Sequence, residues 1–74
     1  MKEPENYGEE YQIDGYEIWF HPWYSDYMEE SFMAVSVFDP RDVEIFHAGM
    51  TKMQPSEEKA KEVLDFVLMY LEDL

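Results

Sequence analysis

The sequence predicts an α+β fold: a small antiparallel sheet of three to four strands built from two β-hairpins, with one C-terminal α-helix packed on one face. Three observations predict it. Ala60, Val63, Leu64, Val67, Tyr70, Leu71 and Leu74 recur at three- and four-residue spacing, while Glu57, Glu58, Lys61, Glu62, Asp65, Glu72 and Asp73 take the other sides, as in an amphipathic helix. Asp14-Gly15 stands between Tyr11-Gln12-Ile13 and Tyr16-Glu17-Ile18-Trp19-Phe20, and both of its positions tolerate the positive φ of a two-residue hairpin turn. Asp39-Pro40-Arg41-Asp42 separates two stretches rich in aromatic and β-branched residues, with Pro at the second position of a type I turn.

In chain order, residues 1–8 are polar and expected to fray, Tyr7 excepted. Strands are expected near 11–13, 16–21, 32–38 and 43–48, and the helix over 56–73. Pro22 lacks a ladder donor, so the second strand should end beside it or reach the sheet edge. Trp23 to Ser31 then reads as a connection, either a helical turn capped by Ser25 or an exposed loop. Gly49 to Gln54 leads to the helix, where Pro55 suits the first turn, Ser56 is a capping candidate and Glu57 and Glu58 complement the dipole. With no internal repeat or linker, residues 1–74 read as a single domain.

Period-two alternation sorts the strand residues into faces. Ile13, Tyr16, Ile18, Phe20, Met33, Val35, Val37, Val43 and Ile45 form the set expected to receive the helix. Trp19, Phe32, Ala34, Ser36, Phe38, Phe46 and Ala48 form the other, with Glu17 and Glu44 among them. One helix covers one side, so this aromatic set is either covered by the N-terminal segment or the Trp23 to Ser31 loop, or left open as an interaction surface.

A chain of 74 residues buries only about 60% of its unfolded surface, which leaves modest stability. Without cysteine there is no disulfide, thiolate nucleophile or sulfur-ligated metal, as suits a reducing compartment. Met1-Lys2-Glu3-Pro4-Glu5 lacks the basic start and apolar run of a signal peptide, and the apolar runs are too short to span a bilayer. The expectation is a soluble, cytoplasmic protein. A composition 46% hydrophobic and 18% aromatic speaks against a disordered acidic tail.

Eighteen acidic residues against five basic ones give a formal charge of -13, beyond what solubility needs. Such a field repels nucleic acid and anionic lipid and attracts a basic partner. Residues 1–51 hold twelve acids against Lys2 and Arg41, so stacking of bases on the aromatic face would be opposed at every phosphate. Direct nucleic-acid binding is not expected, nor is binding to a membrane.

No constellation for catalysis stands out. His21 beside Pro22, with Asp26 a few residues on, and His47 three residues after Glu44 on the opposite face by alternation, are not ligand or acid–base sets. The serines lack a nucleophile-elbow context, and the three glycines are too scattered to cradle phosphate. Paired carboxylates at Glu9-Glu10, Glu29-Glu30, Glu57-Glu58 and Glu72-Asp73 read as solvated faces, and Asp39, Asp42 and Glu44 lack the ligand spacing of a calcium loop. No catalytic residue, cofactor or metal is expected, and the chain does not read as an enzyme.

Two binding readings follow. In the first, Glu9, Glu10, Asp14, Glu17, Asp26, Glu29, Glu30, Asp39, Asp42 and Glu44 imitate a phosphate array, with Tyr24 and Tyr27 as anchors, so that the chain blocks the nucleic-acid site of a basic protein. In size, charge and aromatic content the whole chain resembles the small acidic inhibitors that phages and mobile elements use against CRISPR nucleases, restriction enzymes and uracil-DNA glycosylase. What that resemblance implies is an inhibitor acting as a nucleic-acid mimic. In the second reading, Trp19, Phe32, Phe38 and Phe46 form a sheet face buried in a homodimer or against a fixed partner, and the acidity serves only solubility.

Overall fold

The computed structural model describes residues 8–72. The expected fraying of residues 1–8 therefore falls, but for Gly8, outside the described residues, as do Asp73 and Leu74. Four strands, β1 (Glu9–Ile13), β2 (Tyr16–Ser25), β3 (Glu30–Phe38) and β4 (Glu44–Thr51), precede the helix α1 (Glu57–Glu72). They form an antiparallel meander in the order β1-β2-β3-β4, with the helix against one face. The α+β architecture is the one the sequence predicts.

The first turn forms as its residues require: Asp14 and Gly15 both take positive φ, at 54° and 86°, and Ile13 pairs with Tyr16. The turn between β3 and β4 is organised by Asp39, which is buried to 9% exposure. Its Oδ1 accepts the N–H groups of Arg41 and Val43 at 2.9 and 3.0 Å, and its Oδ2 accepts the Arg41 guanidinium at 2.8 Å. The bond from the Val43 backbone, followed by that from the Arg41 side chain, holds the Asp39 carboxyl below its ordinary pKa. A lowered folded pKa means that this stabilisation is complete above the unfolded value near 3.9 and is lost as pH falls through the folded one. The urea midpoint of the wild-type protein should therefore exceed that of Asp39→Asn at neutral pH, and the gap should close on acidification. A gap unchanged down to about pH 2 would contradict the assignment, because by then a carboxyl of even strongly lowered pKa is protonated.

β2 and β3 extend beyond their expected ends. The segment from Trp23 to Ser31 is not a separate connection but the end of one long hairpin, in which Trp23 pairs with Phe32 and Ser25 with Glu30. Pro22 is tolerated because β1 pairs with β2 only from Tyr16 to Phe20; past that point the other edge of β2 carries no partner strand among the described residues. The four-residue loop closes with the Glu29 N–H on the Ser25 carbonyl at 2.7 Å, the Met28 N–H on Ser25 Oγ at 3.0 Å, and Glu29 at φ 57°.

β4 carries two irregularities that decide its faces. Phe38 pairs with Glu44 but Val37 with Phe46, and Val35 pairs with Ala48 but Met33 with Thr51, so β4 has one extra residue at each step. Each extra residue inverts the alternation that follows it. Phe46 and Ala48 consequently share a face with Val37 and Val35, toward the helix, whereas the alternation had set them on the outer face. Glu44 and His47, expected on opposite faces, pair with Phe38 and Ser36 and share the outer one. Val43 lies before the strand and is 49% exposed, not in the core.

The core joins Ile18, Phe20, Val35 and Val37 to Ala60, Val63, Leu64 and Val67, with Tyr11, Ile13, Tyr16, Met33 and Ile45 packed around them. Ser56 caps the helix as its position implies, accepting the Lys59 N–H at 3.0 Å. The buried stripe stops at Val67. Tyr70 and Leu71, placed in it by spacing, are instead 57% and 38% exposed.

Candidate functional site

Because α1 lies on one side, the other side of the sheet is covered by no described element. Alternation along β2 places Glu17, Trp19, His21 and Trp23 on this outer face, and their partners Phe38, Ser36, Ala34 and Phe32 on β3 share it. β1 adds Glu10, opposite Trp19, and Gln12, opposite Glu17; β4 adds Glu44 and His47.

The aromatic side chains form two pairs along the face. Trp19 and Phe38 have ring centroids 6.0 Å apart, with Trp19 44% exposed. Trp23 and Phe32 lie 5.4 Å apart, and the Trp23 indole N–H donates to the Gly49 carbonyl at 2.7 Å, so the ring spans β3 toward β4. Phe32 is the buried member of its pair, with the Lys52 ammonium 4.6 Å from its ring centroid. That ammonium is itself held by Glu30 at 2.6 Å and the Ser31 carbonyl at 3.0 Å.

Carboxylates border the first pair. Glu17 accepts the Trp19 indole N–H at 3.3 Å, and Glu44 lies 3.6 Å from His47 Nδ1, which also contacts Ser36 Oγ at 3.1 Å. Among the described residues no three His, Asp or Glu side chains converge as metal ligands, and no helix is long and apolar enough to cross a membrane.

The acids singled out by sequence separate into groups. Glu10, Glu17 and Glu44 surround Trp19 and Phe38. Asp14, Asp39 and Asp42 sit in the two turns at one end of the sheet, where Pro40 lies against Gly15. Asp26, Glu29 and Glu30 occupy the opposite end, at the hairpin loop. Glu9, opposite Phe20, accepts the Tyr11 hydroxyl, which raises the Tyr11 pKa. Asp39 is spent on its turn and on Arg41, and Glu30 on Lys52, so neither presents a free charge.

Of the aromatic candidates, Trp19, Phe32 and Phe38 share the outer face and Phe46 does not: its ring meets Phe66 of the helix edge-on at 6.2 Å. Tyr24, opposite Ser31, has the alternation of the helix side but is 58% exposed, and Tyr27 at the loop tip is 94% exposed. Trp23 was missed by the sequence reading, although Trp19-His21-Trp23 continues the alternation unbroken through Pro22. The chain matches no family model, no curated protein and no solved structure.

Proposed function

We propose that this is a small protein-binding module whose outer sheet face engages a basic partner protein, occupying the surface that protein uses for nucleic acid. One observation carries the reading: a sheet face covered by no described element, on which Trp19 and Trp23 provide anchoring area and Glu10, Glu17 and Glu44 provide negative charge, with further acids at both ends. Tryptophan is among the side chains enriched in the energetic hot spots near the centre of protein interfaces. Carboxylates around it attract a cationic surface over distance and speed its encounter. A chain of charge -13 has little to gain from binding phosphate directly.

The test uses a basic partner captured from the source cells and identified. Its affinity for the module should fall steeply as salt rises past physiological strength, where screening acts beyond about 8 Å. Duplex DNA or structured RNA should compete. Glu10→Lys combined with Glu17→Lys should slow association more than it alters dissociation, with the fold intact. These positions are preferable to Glu30, whose reversal would break the contact with Lys52. A partner whose binding ignores salt, competing nucleic acid and the double reversal would overturn the reading.

A further inference from the structure

The helix reaches across only part of the inner sheet face. It packs over β1, β2 and the inner residues of β3, and the described residues leave the β4 side as an open groove of about 300 Å³ lined by Val35, Phe46, Ala48, Met53, Val63 and Phe66. Along its border runs a ridge of large side chains on α1. Phe66, Met69 and Tyr70 are 59%, 66% and 57% exposed, and the rings of Phe66 and Tyr70 are stacked at 6.4 Å. An apolar ridge beside an apolar groove is a surface that water leaves at a gain.

Charge selects the occupant. The two charged residues lining the groove, Lys59 and Glu62, pair with each other at 2.8 Å, so the lining is neutral in a chain of net charge -13. A basic protein finds no attraction here and is drawn to the carboxylates of the opposite face. A second copy of the chain, repelled over most of its surface, meets no net charge among the described lining residues. Shape points the same way, since a ridge adjoining a groove is self-complementary about a two-fold axis, each copy's ridge entering the other's groove. The three ridge side chains expose roughly 400 Å² together, about half of the ~800 Å² per partner of a standard interface, and the groove walls add to it.

We infer that the chain forms an isologous homodimer through the α1–β4 groove, which leaves the outer sheet face of both copies free. The test is sedimentation equilibrium of the full chain in low and high salt. The expected result is a dimer with a dissociation constant in the micromolar range, unchanged or tightened by salt as the remaining like-charge repulsion is screened. Phe66→Asp and, separately, Met69→Lys should each weaken it at least about tenfold with helical circular dichroism unchanged. Met69→Lys lowers the net negative charge, so its effect cannot come from added repulsion. Trp19→Asp should leave the dimer intact. A monomer at about 0.5 mM, or a dimer abolished by Trp19→Asp and indifferent to Phe66→Asp, would overturn the inference. The proposed partner face is tested by salt-weakened binding and this interface by salt-tolerant self-association, so either can fail alone.

Discussion

Phe20→Ala is expected to cost about 3–5 kcal/mol, while Trp19→Ala, one position earlier in the same strand, should cost less than about 1 kcal/mol. The contrast rests on the pleat. Phe20 is 1% exposed, packed in the core with Val67 and Leu64 of the helix and set edge-on to Tyr11 at 5.9 Å. Trp19 points the other way, 44% exposed, with Phe38 and Glu17 as neighbours. A domain of this size has only about 3–5 kcal/mol in hand, so the Phe20 variant should be largely unfolded without denaturant. Urea titration followed by circular dichroism measures both. Equal losses would mean that the outer face is not open but is part of the monomer's core.

The second large effect lies on the helix. Leu64→Ala should destabilise by about 2–4 kcal/mol and Glu62→Ala by about 0.5 kcal/mol or less. Leu64 is 3% exposed in the core, whereas Glu62 is exposed and makes a single i,i+3 ion pair to Lys59. That pair raises the Lys59 pKa through its hydrogen bond and charge, but in open solvent it contributes little to folding. Chemical denaturation of the two variants at one protein concentration is the measurement. Similar midpoints would remove α1 from the sheet.

The candidate site was legible in part. Trp19, Phe38 and Glu17 fall on one face by alternation alone, because no irregularity intervenes along β2 and β3. Phe46 was misplaced because a β-bulge leaves almost no mark in a sequence: one additional residue between Glu44 and Phe46 turns the side chains that follow over, until the second irregularity past Ala48 turns them back. Trp23 was lost to the usual rule about proline, which holds for a strand paired on both sides and not for one whose neighbour has ended. The groove was invisible for a different reason, since the helical stripe shows which residues face the sheet but not how much of the sheet one helix spans.

The sequence by itself determined the elements whose causes are local: the turn at Asp14-Gly15, the Ser56 cap, the helical stripe from Ala60 to Val67, the alternating strands and the strongly acidic balance. These follow from backbone sterics, nearest-neighbour hydrogen bonds and side-chain period, all confined within a few residues. Only the tertiary structure decided which way β4 faces, that Asp39 anchors a turn instead of standing free, that the helix covers β1 to β3 but leaves Phe46 and Phe66 beside a groove, and that Trp23 joins Trp19 on the outer face. Each of these depends on where a second strand ends or how far a helix reaches, and such distances are set by packing between segments remote in the chain.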